Sequence, residues 1–292
     1  MNTEPVATVD SLLKEAVTAI GGESPRLDAE LLLAHASGLT RTGFRAWPER
    51  EVPAQASEHF RELVARRAQG QPVAYLLGEQ EFWSLPLQVN ETTLIPRPDT
   101  ECLVEVALSL PLPEQASVLD LGTGTGAIAL ALASEQPNWR ILASDRVAGA
   151  VELARRNSEA LKLPVTVLES DWFSQIPRQR FDLIISNPPY IADNDHHLNE
   201  GDVRFEPSSA LVSGADGLDD IRFLITQAPG WLADDGWLML EHGYDQGAAV
   251  RALLVSDGWR TIETRQDYGG NDRLTLAQKP LGLSGQEAAH AE

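Results

Sequence analysis

The apolar positions change their period twice along the chain. Leu12, Leu13, Ala16, Val17 and Ile20 recur at helical spacing and stop at Gly21-Gly22. Ser24-Pro25 then supplies a cap and a first-turn proline, and Leu27, Leu31, Leu32 and His35 form the predicted apolar face of a second helix before Gly38. A third helix is predicted over 54–68, closed by Gly70. From Glu79 to Leu94 the pattern turns extended, with Phe82, Trp83, Leu85, Leu87 and Val89 and with Asn90 as a turn residue, and the stretch reads as a hairpin joining two domains.

From Ser117 onward short apolar runs alternate with helical stretches. Strands are predicted over 117–121, 140–144, 165–169, 181–186 and 236–241, and helices over 127–134, 148–161, 218–231 and 246–255. A closing pair, 259–265 and 273–278, reads as antiparallel strands. Such alternation means crossover units, hence an α/β fold with a mostly parallel sheet covered by helices on both faces. The predicted organisation is a helical domain over 1–77, a hairpin linker over 78–97, the sheet domain over 98–280, and a small polar tail over 281–292 expected to be disordered.

Charge narrows the partners. Lys and Arg total 23 against 43 Asp and Glu, a formal charge of −20, which disfavours a binder of bare DNA or RNA because phosphate neutralisation needs a clustered basic surface. The balance suits a protein that meets a basic or mixed-charge partner. Cys102 is the one cysteine, which excludes an internal disulfide and a thiolate metal cluster. His35 and His59 are read as surface or satisfied helix residues, and no metal site is expected. The first ten residues lack a basic segment, and no apolar run reaches the roughly 20 residues of a membrane span, so a cytoplasmic protein is expected.

Candidate chemistry sits at two strand ends. Val118-Leu119-Asp120-Leu121-Gly122-Thr123-Gly124-Thr125-Gly126 runs from a predicted strand into a helix, and its glycines permit a tight turn with close backbone approach to a ligand. Gly122, Gly124 and Ala127 also satisfy the dinucleotide pattern, and Asp145, ending the next strand, suits ribose hydroxyls in either case. Asp120 separates the two: a carboxylate at the mouth of the turn repels a pyrophosphate but accepts from an ammonium, which S-adenosylmethionine carries. The alternative, Asp120 as a helix cap, stays open on this motif alone. Asp171-Trp172-Phe173 can flank an adenine with a polar group and an apolar wall, or can be ordinary core.

The second strand end is Asn187-Pro188-Pro189-Tyr190, directly after the 181–186 strand and so on the ligand-binding edge of a parallel sheet. Two prolines stiffen the backbone and remove two N–H donors, leaving the Asn187 amide oxygen and the Pro188 carbonyl as acceptors for a planar NH2 group, with Tyr190 as a flat surface. Such parts suit an amide or exocyclic amine as methyl acceptor. Alignment would carry most of the catalysis, since positioning can contribute ~7–11 kcal/mol. His196 and His197 lie too far along the loop to act as a base.

The order of motifs resembles the protein-(glutamine-N5) methyltransferases that modify class I peptide chain release factors. Beyond the two strand ends, the resemblance rests on Phe82 to Leu87, on Leu94-Ile95-Pro96-Arg97-Pro98-Asp99-Thr100-Glu101, on Asp202-Val203-Arg204-Phe205-Glu206-Pro207 and on Gly214-Ala215-Asp216-Gly217-Leu218. It implies a Rossmann-like, seven-stranded class I methyltransferase sheet behind a helical domain that engages the release factor, with the glutamine of a Gly-Gly-Gln motif as acceptor. It also implies that Asp120, the loop 122–126, Asp145, Asp171 and Trp172 hold S-adenosylmethionine, with Asn187 touching both ligands and Asn187 to Tyr190 holding the glutamine. Arg146-Val147-Ala148-Gly149 departs from the family's usual small polar or proline-containing helix start.

Two rivals have weight. An N6-adenine nucleic-acid methyltransferase would use the same turn on a flipped base, against which stand the charge of −20 and the lack of a basic recognition segment. A non-catalytic assembly protein with a methyltransferase fold is opposed by the intact loop and acceptor turn.

Overall fold

The computed structural model describes residues 7–22 and 24–281. The rest of the predicted tail, 282–292, lies outside the described residues, as do the first six. The chain divides into two units, Met1–Glu79 with His197–Phe205, and Gln80–His196 with Glu206–Glu292.

The first unit is helical: α1 (Val9–Ile20), α2 (Pro25–Ser37), α3 (Arg41–Ala46), α4 (Ala54–Ala68) and α5 (Val73–Leu77). Thr8 and Ser11 cap α1 reciprocally, each side chain meeting the other's backbone N–H. The predicted face of α2 is corrected. Leu27 is 42% exposed and His35 exposed, while Ala29, Leu32 and Leu33 pack with Leu12, Leu13 and Phe60. Glu30 shares the buried side because Arg26 and Arg41 meet its two oxygens at 2.8 and 3.1 Å. Burial alone would raise its pKa, but the two guanidiniums outweigh that and lower it. The segment His197–Phe205 belongs to this unit through Arg67, which binds Asp28 at 2.7 Å and Asp202 at 2.9 Å, and through Arg204, which donates to the Gln69 carbonyl at 3.1 Å.

The second unit opens with a hairpin, β1 (Glu79–Phe82) and β2 (Leu85–Gln88). Its turn is Trp83-Ser84: both turn residues take positive φ, 53° and 58°, which matches the twist of the flanking strands. Asn90 is a turn residue as its side chain predicts, opening the turn after β2 with its Oδ1 accepting the Thr92 N–H at 3.0 Å. Next come α6 (Glu101–Ser109), β3 (Ser117–Leu121), α7 (Ala127–Glu135), β4 (Arg140–Asp145), α8 (Ala148–Leu161), β5 (Val165–Glu169) and β6 (Phe181–Ser186). The chain closes with α9 (Asp219–Gln227), β7 (Leu232–Glu241), α10 (Gly247–Ser256), β8 (Arg260–Gln266) and β9 (Asp272–Gln278).

Seven strands form one sheet in the order β5-β4-β3-β6-β7-β9-β8. The pairs from β5 to β7 are parallel; β9 pairs antiparallel with both β7 and β8. Alternation along the strands covers both faces. Val118, Leu183 and Ile185 face a core completed by Leu103 and Val104 of α6 and by α7, whereas Leu119, Leu121 and Ile184 face one completed by α9 and α10. Connections leave β3 in one direction and β6 in the other, so the loops after these two neighbours flank the topological switch point. No helix among the described residues is long and apolar enough to cross a membrane.

Candidate active site

A cavity opens at that switch point. The loops after β3, β4, β5 and β6 contribute Gly122, Thr123, Gly124, Thr125, Asp145, Asp171, Trp172, Asn187 and Pro189 to its lining. Nine of the predicted site residues therefore converge from four strand ends. Asp120, Gly126, Pro188 and Tyr190 do not line it.

The glycine loop is shaped by backbone rather than side chains. Gly122, Gly124 and Gly126 all have positive φ, at 69°, 55° and 86°. A Cβ on Gly126 would lie 3.1 Å from Leu130 and 3.4 Å from Ala154, so this glycine serves loop conformation and helix packing. Two crosslinks hold the loop to β4: Thr123 N–H donates to the Ser144 carbonyl at 2.9 Å, and Gly124 N–H to Asp145 Oδ2 at 2.9 Å. Asp145 Oδ1 accepts the Val147 N–H at 2.9 Å, so Arg146-Val147 leaves Asp145 in place. Burial raises the Asp145 pKa against these bonds.

Asp120 is fully buried behind the loop. Its Oδ2 accepts the Thr123 hydroxyl at 2.6 Å, while Oδ1 has no hydrogen bond of regular geometry among the described residues. Burial pushes its pKa up to about 7, partly offset by Thr123. Asp120 behind the glycine loop and Asp145 on the cavity wall both have raised pKa values, and such carboxyls favour hydrogen-bond donors or positive charge nearby. A ligand bearing an ammonium and vicinal hydroxyls fits that preference, and a pyrophosphate does not.

Trp172 adopts φ 47°, a left-handed conformation that costs a non-glycine residue about 1–3 kcal/mol. The Ser170 hydroxyl donates to its carbonyl at 2.8 Å and helps hold the turn. In this pose the indole lies near Gly122, where an added Cβ would sit 3.6 Å from the ring. The aromatic wall is thus built by a strained turn after β5.

At the acceptor turn, Asn187 Nδ2 donates to Thr100 Oγ1 at 3.3 Å. Pro188 is buried, Pro189 and Tyr190 half-buried. Tyr190 packs on the β3–β6 core and donates its hydroxyl to Glu241 Oε1 at 3.2 Å. Burial and the Glu241 charge raise its pKa well above the ordinary phenol value. The backbone of the turn is pinned by Leu211, whose carbonyl accepts from Tyr190 and Ile191, and by Gln246, which donates to the Tyr190 carbonyl at 2.9 Å. Gly217 passes so close that a Cβ there would lie 2.2 Å from that carbonyl, which explains the glycine in Gly214-Ala215-Asp216-Gly217-Leu218.

Three functional features escaped the residue patterns. Thr92, Thr93, Pro96, Arg97 and Thr100 also line the cavity. Arg97 Nη2 donates to Glu206 Oε2 at 2.7 Å, and Glu206 Oε1 accepts the Ile95 N–H at 3.0 Å, so a buried carboxylate ties two distant family segments together. Glu241 lies buried behind Tyr190. Only the Pro-Arg-Pro-Asp and Arg-Phe-Glu-Pro segments signalled any of this, and no local spacing connects them. Asp195, His196 and His197 bring ligand atoms within 4.8 Å of one another outside this cavity, where no ion is present.

Sheet order, glycine loop and cleft together define the methyltransferase class of α/β fold. A methyltransferase from Pyrococcus furiosus is similar in structure, with a TM-score of 0.52 at 17% identity, covering 68% of this chain and 90% of that one. The PrmC N-terminal domain model matches residues 11–78, and the methyltransferase small domain model matches residues 99–209. The chain is 58% identical to the release factor glutamine methyltransferase of Pseudomonas aeruginosa, over 94% of this chain and 99% of that protein. To the protein of the same name from Escherichia coli it is 51% identical, over 91% of this chain and 97% of that one. The chain belongs to the release factor glutamine methyltransferase family.

Proposed function

We propose that this protein transfers a methyl group from S-adenosylmethionine to the side-chain amide nitrogen of a release factor glutamine, the acceptor being the glutamine of the Gly-Gly-Gln motif in class I factors. One observation carries the reading: a glycine loop with the buried Asp120 behind it and the half-buried Asp145 beside it meets an acceptor-rich Asn-Pro-Pro-Tyr turn at the ends of neighbouring strands β3 and β6.

When bound, S-adenosylmethionine supplies an electrophilic methyl group on a sulfonium centre. Asp145 would hold ribose hydroxyls, and Trp172 with Asp171 would flank the adenine. Asp120, which does not line the cavity, would act on the ammonium through Thr123, whose hydroxyl it holds. Arg97, fixed by Glu206, is a fitting partner for the carboxylate. Asn187 Oδ1 and the Pro188 carbonyl would accept the two hydrogens of the acceptor NH2, with Pro189 and Tyr190 as rigid backing. The amide nitrogen is a poor nucleophile, so holding it in line is the main task of these residues, and preorganised acceptors meet the positive charge that develops on nitrogen. The helices over 1–77 lack a catalytic constellation and are assigned to docking the factor. The same reading makes the protein cytoplasmic, where translation termination occurs, with no direct nucleic-acid contact.

Incubation with methyl-labelled S-adenosylmethionine and either a class I release factor or DNA tests this. Label should enter the factor alone, and a factor whose motif glutamine is changed to alanine should take none. Label in DNA would favour the adenine reading, and label in neither a non-catalytic one.

A further inference from the structure

The methyl transfer proposed above leaves one buried polar group behind the acceptor turn without a task. Glu241, the last residue of β7, is 2% exposed. Its Oε1 accepts the Tyr190 hydroxyl at 3.2 Å. The Thr100 hydroxyl also acts on this carboxyl, although Oε2 has no hydrogen bond of regular geometry among the described residues. On its other side, Thr100 Oγ1 accepts the Nδ2–H of Asn187 at 3.3 Å.

These contacts have a direction. A primary amide has an acceptor end and a donor end of nearly equal shape, so packing alone does not choose between its two orientations. Asn187 can accept from a substrate NH2 only when Oδ1 faces it; turned over, it would present NH2 to NH2. Thr100 stabilises the useful orientation only while its oxygen receives Nδ2–H and its own proton points elsewhere. An ionised carboxylate accepts and never donates, so it draws that proton away from Asn187.

We propose that Glu241, in its ionised form, is a positioning residue that sets the direction of the Asn187–Thr100–Glu241–Tyr190 network and thereby keeps Asn187 Oδ1 turned toward the acceptor amide. The inference rests on the proposed role of Asn187. It also explains why a carboxyl is kept where a hydrophobic side chain would avoid the cost of burying a charge.

The direction depends on pH. Protonated Glu241 gains an O–H donor that competes for the Thr100 oxygen and releases the Asn187 amide. Burial pushes the Glu241 pKa up to about 7, against the lowering effects of Thr100, Arg273 and Tyr190, while Asp99 adds to the rise. The groups facing it are these residues and Cys102 of α6. Arg273 is paired with Asp267 at 3.0 Å and lies 3.6 Å from Asp99, and its pKa is raised by these pairings against burial. Burial and Glu241 push Cys102 up to about 12. Tyr190 and Cys102 stay neutral and Arg273 charged at neutral pH, so Glu241 is the member of this cluster that titrates there. Orientation, and with it the transfer rate, should rise with pH through about 7 and be lost below it.

The test uses the full chain, saturating S-adenosylmethionine and single-turnover transfer to a class I release factor across the neutral pH range. Glu241→Gln keeps shape and an acceptor for Tyr190 but offers Thr100 an NH2 donor at every pH. It should transfer roughly 10- to 100-fold more slowly with cofactor affinity within about twofold, and without the wild-type rise near neutrality. Thr100→Val should show the same loss, and Thr100→Ser, which restores the hydroxyl, should recover most of it. Wild-type transfer by Glu241→Gln, a slow variant that keeps the wild-type pH profile, or Thr100→Ser as slow as Thr100→Val would overturn the proposal. The Asn187 side-chain amide resonances, assigned by their loss in Asn187→Asp, supply a readout independent of transfer. They should titrate near pH 7 in the wild type and not in Glu241→Gln. Absence of that titration in the wild type rejects the role of Glu241 by itself, whereas titration in a protein that methylates no release factor rejects only the assigned substrate.

Discussion

Asp145 Oδ2 accepts the backbone N–H of Gly124 at 2.9 Å, tying the end of β4 to the glycine loop after β3. One carboxyl therefore has two tasks: it shapes the loop, and it faces the cavity where ribose hydroxyls are expected. Asp145→Ala should weaken S-adenosylmethionine binding by roughly 1–3 kcal/mol, the usual cost of losing hydrogen bonds to a charged group. Calorimetry on the folded variant measures it. Unchanged affinity would remove Asp145 from the cofactor site.

Asn157 performs a structural counterpart of this task from α8. It is 1% exposed; Oδ1 accepts the Gln88 N–H at 2.8 Å, and Nδ2 donates to the carbonyls of Gln88 and Thr125 at 3.0 and 2.9 Å. A single amide thus joins the hairpin to the loop that enters α7. Asn157→Leu removes all three bonds and leaves the Thr125 carbonyl without this donor, which should cost about 1–3 kcal/mol of stability. Urea unfolding reads that loss directly. A midpoint equal to wild type would mean that solvent or a neighbour replaces the amide.

The sheet was legible because each strand is a short apolar run bounded by turns, and the two loops because glycine or proline marks each strand end. Legibility failed where a partner far along the chain decides the outcome. Leu27 and Leu31 have the right spacing for a core face, yet the buried side of α2 includes Glu30, which only Arg26 and Arg41 make tolerable. The hairpin turn falls at Trp83-Ser84, inside an apolar alternation with no glycine or asparagine at the turn to supply its positive φ. The short α3 and α5 offer too few turns to display a period. Arg97, Thr100, Glu206 and Glu241 stand far apart along the chain, and it is folding that brings Arg97 to Glu206 and Tyr190 to Glu241.

Asp120 should make stability pH-dependent in a definite sense. Burial raises its pKa to about 7 in the fold, above the ordinary carboxyl value of 3.8. The folded state therefore holds a proton that the unfolded chain has released between these values. The stabilisation is fully present below the unfolded pKa and is lost as pH rises through the folded one, at up to about 1.4 kcal/mol per pH unit. Ligand-free wild type should lose stability relative to Asp120→Asn as pH rises from about 5 to 7, a difference that cancels the other titrating groups. Parallel stability curves for the two proteins would show that Asp120 is ionised throughout.

Asn187 carries the most information about chemistry. Its Nδ2 is committed to Thr100 at 3.3 Å, which leaves Oδ1 as the side chain's acceptor for the substrate NH2. Asn187→Ala deletes both ends: the acceptor amide loses its partner, and its nitrogen is free to swing out of line with the methyl group. Both effects fall on the transfer step more than on cofactor affinity, so single-turnover transfer should drop on the order of 100-fold, about 2.7 kcal/mol. Asn187→Asp is the sharper variant. It keeps an acceptor oxygen but has no N–H for Thr100, and it places negative charge beside the sulfonium. That charge stabilises the compact positive charge of the ground state more than the dispersed charge of the transition state, so transfer should again be slow with cofactor binding retained. Transfer to release factor measured beside cofactor affinity for both variants decides the assignment. Near-normal transfer by the alanine variant would make the Asn-Pro-Pro-Tyr turn a structural element only.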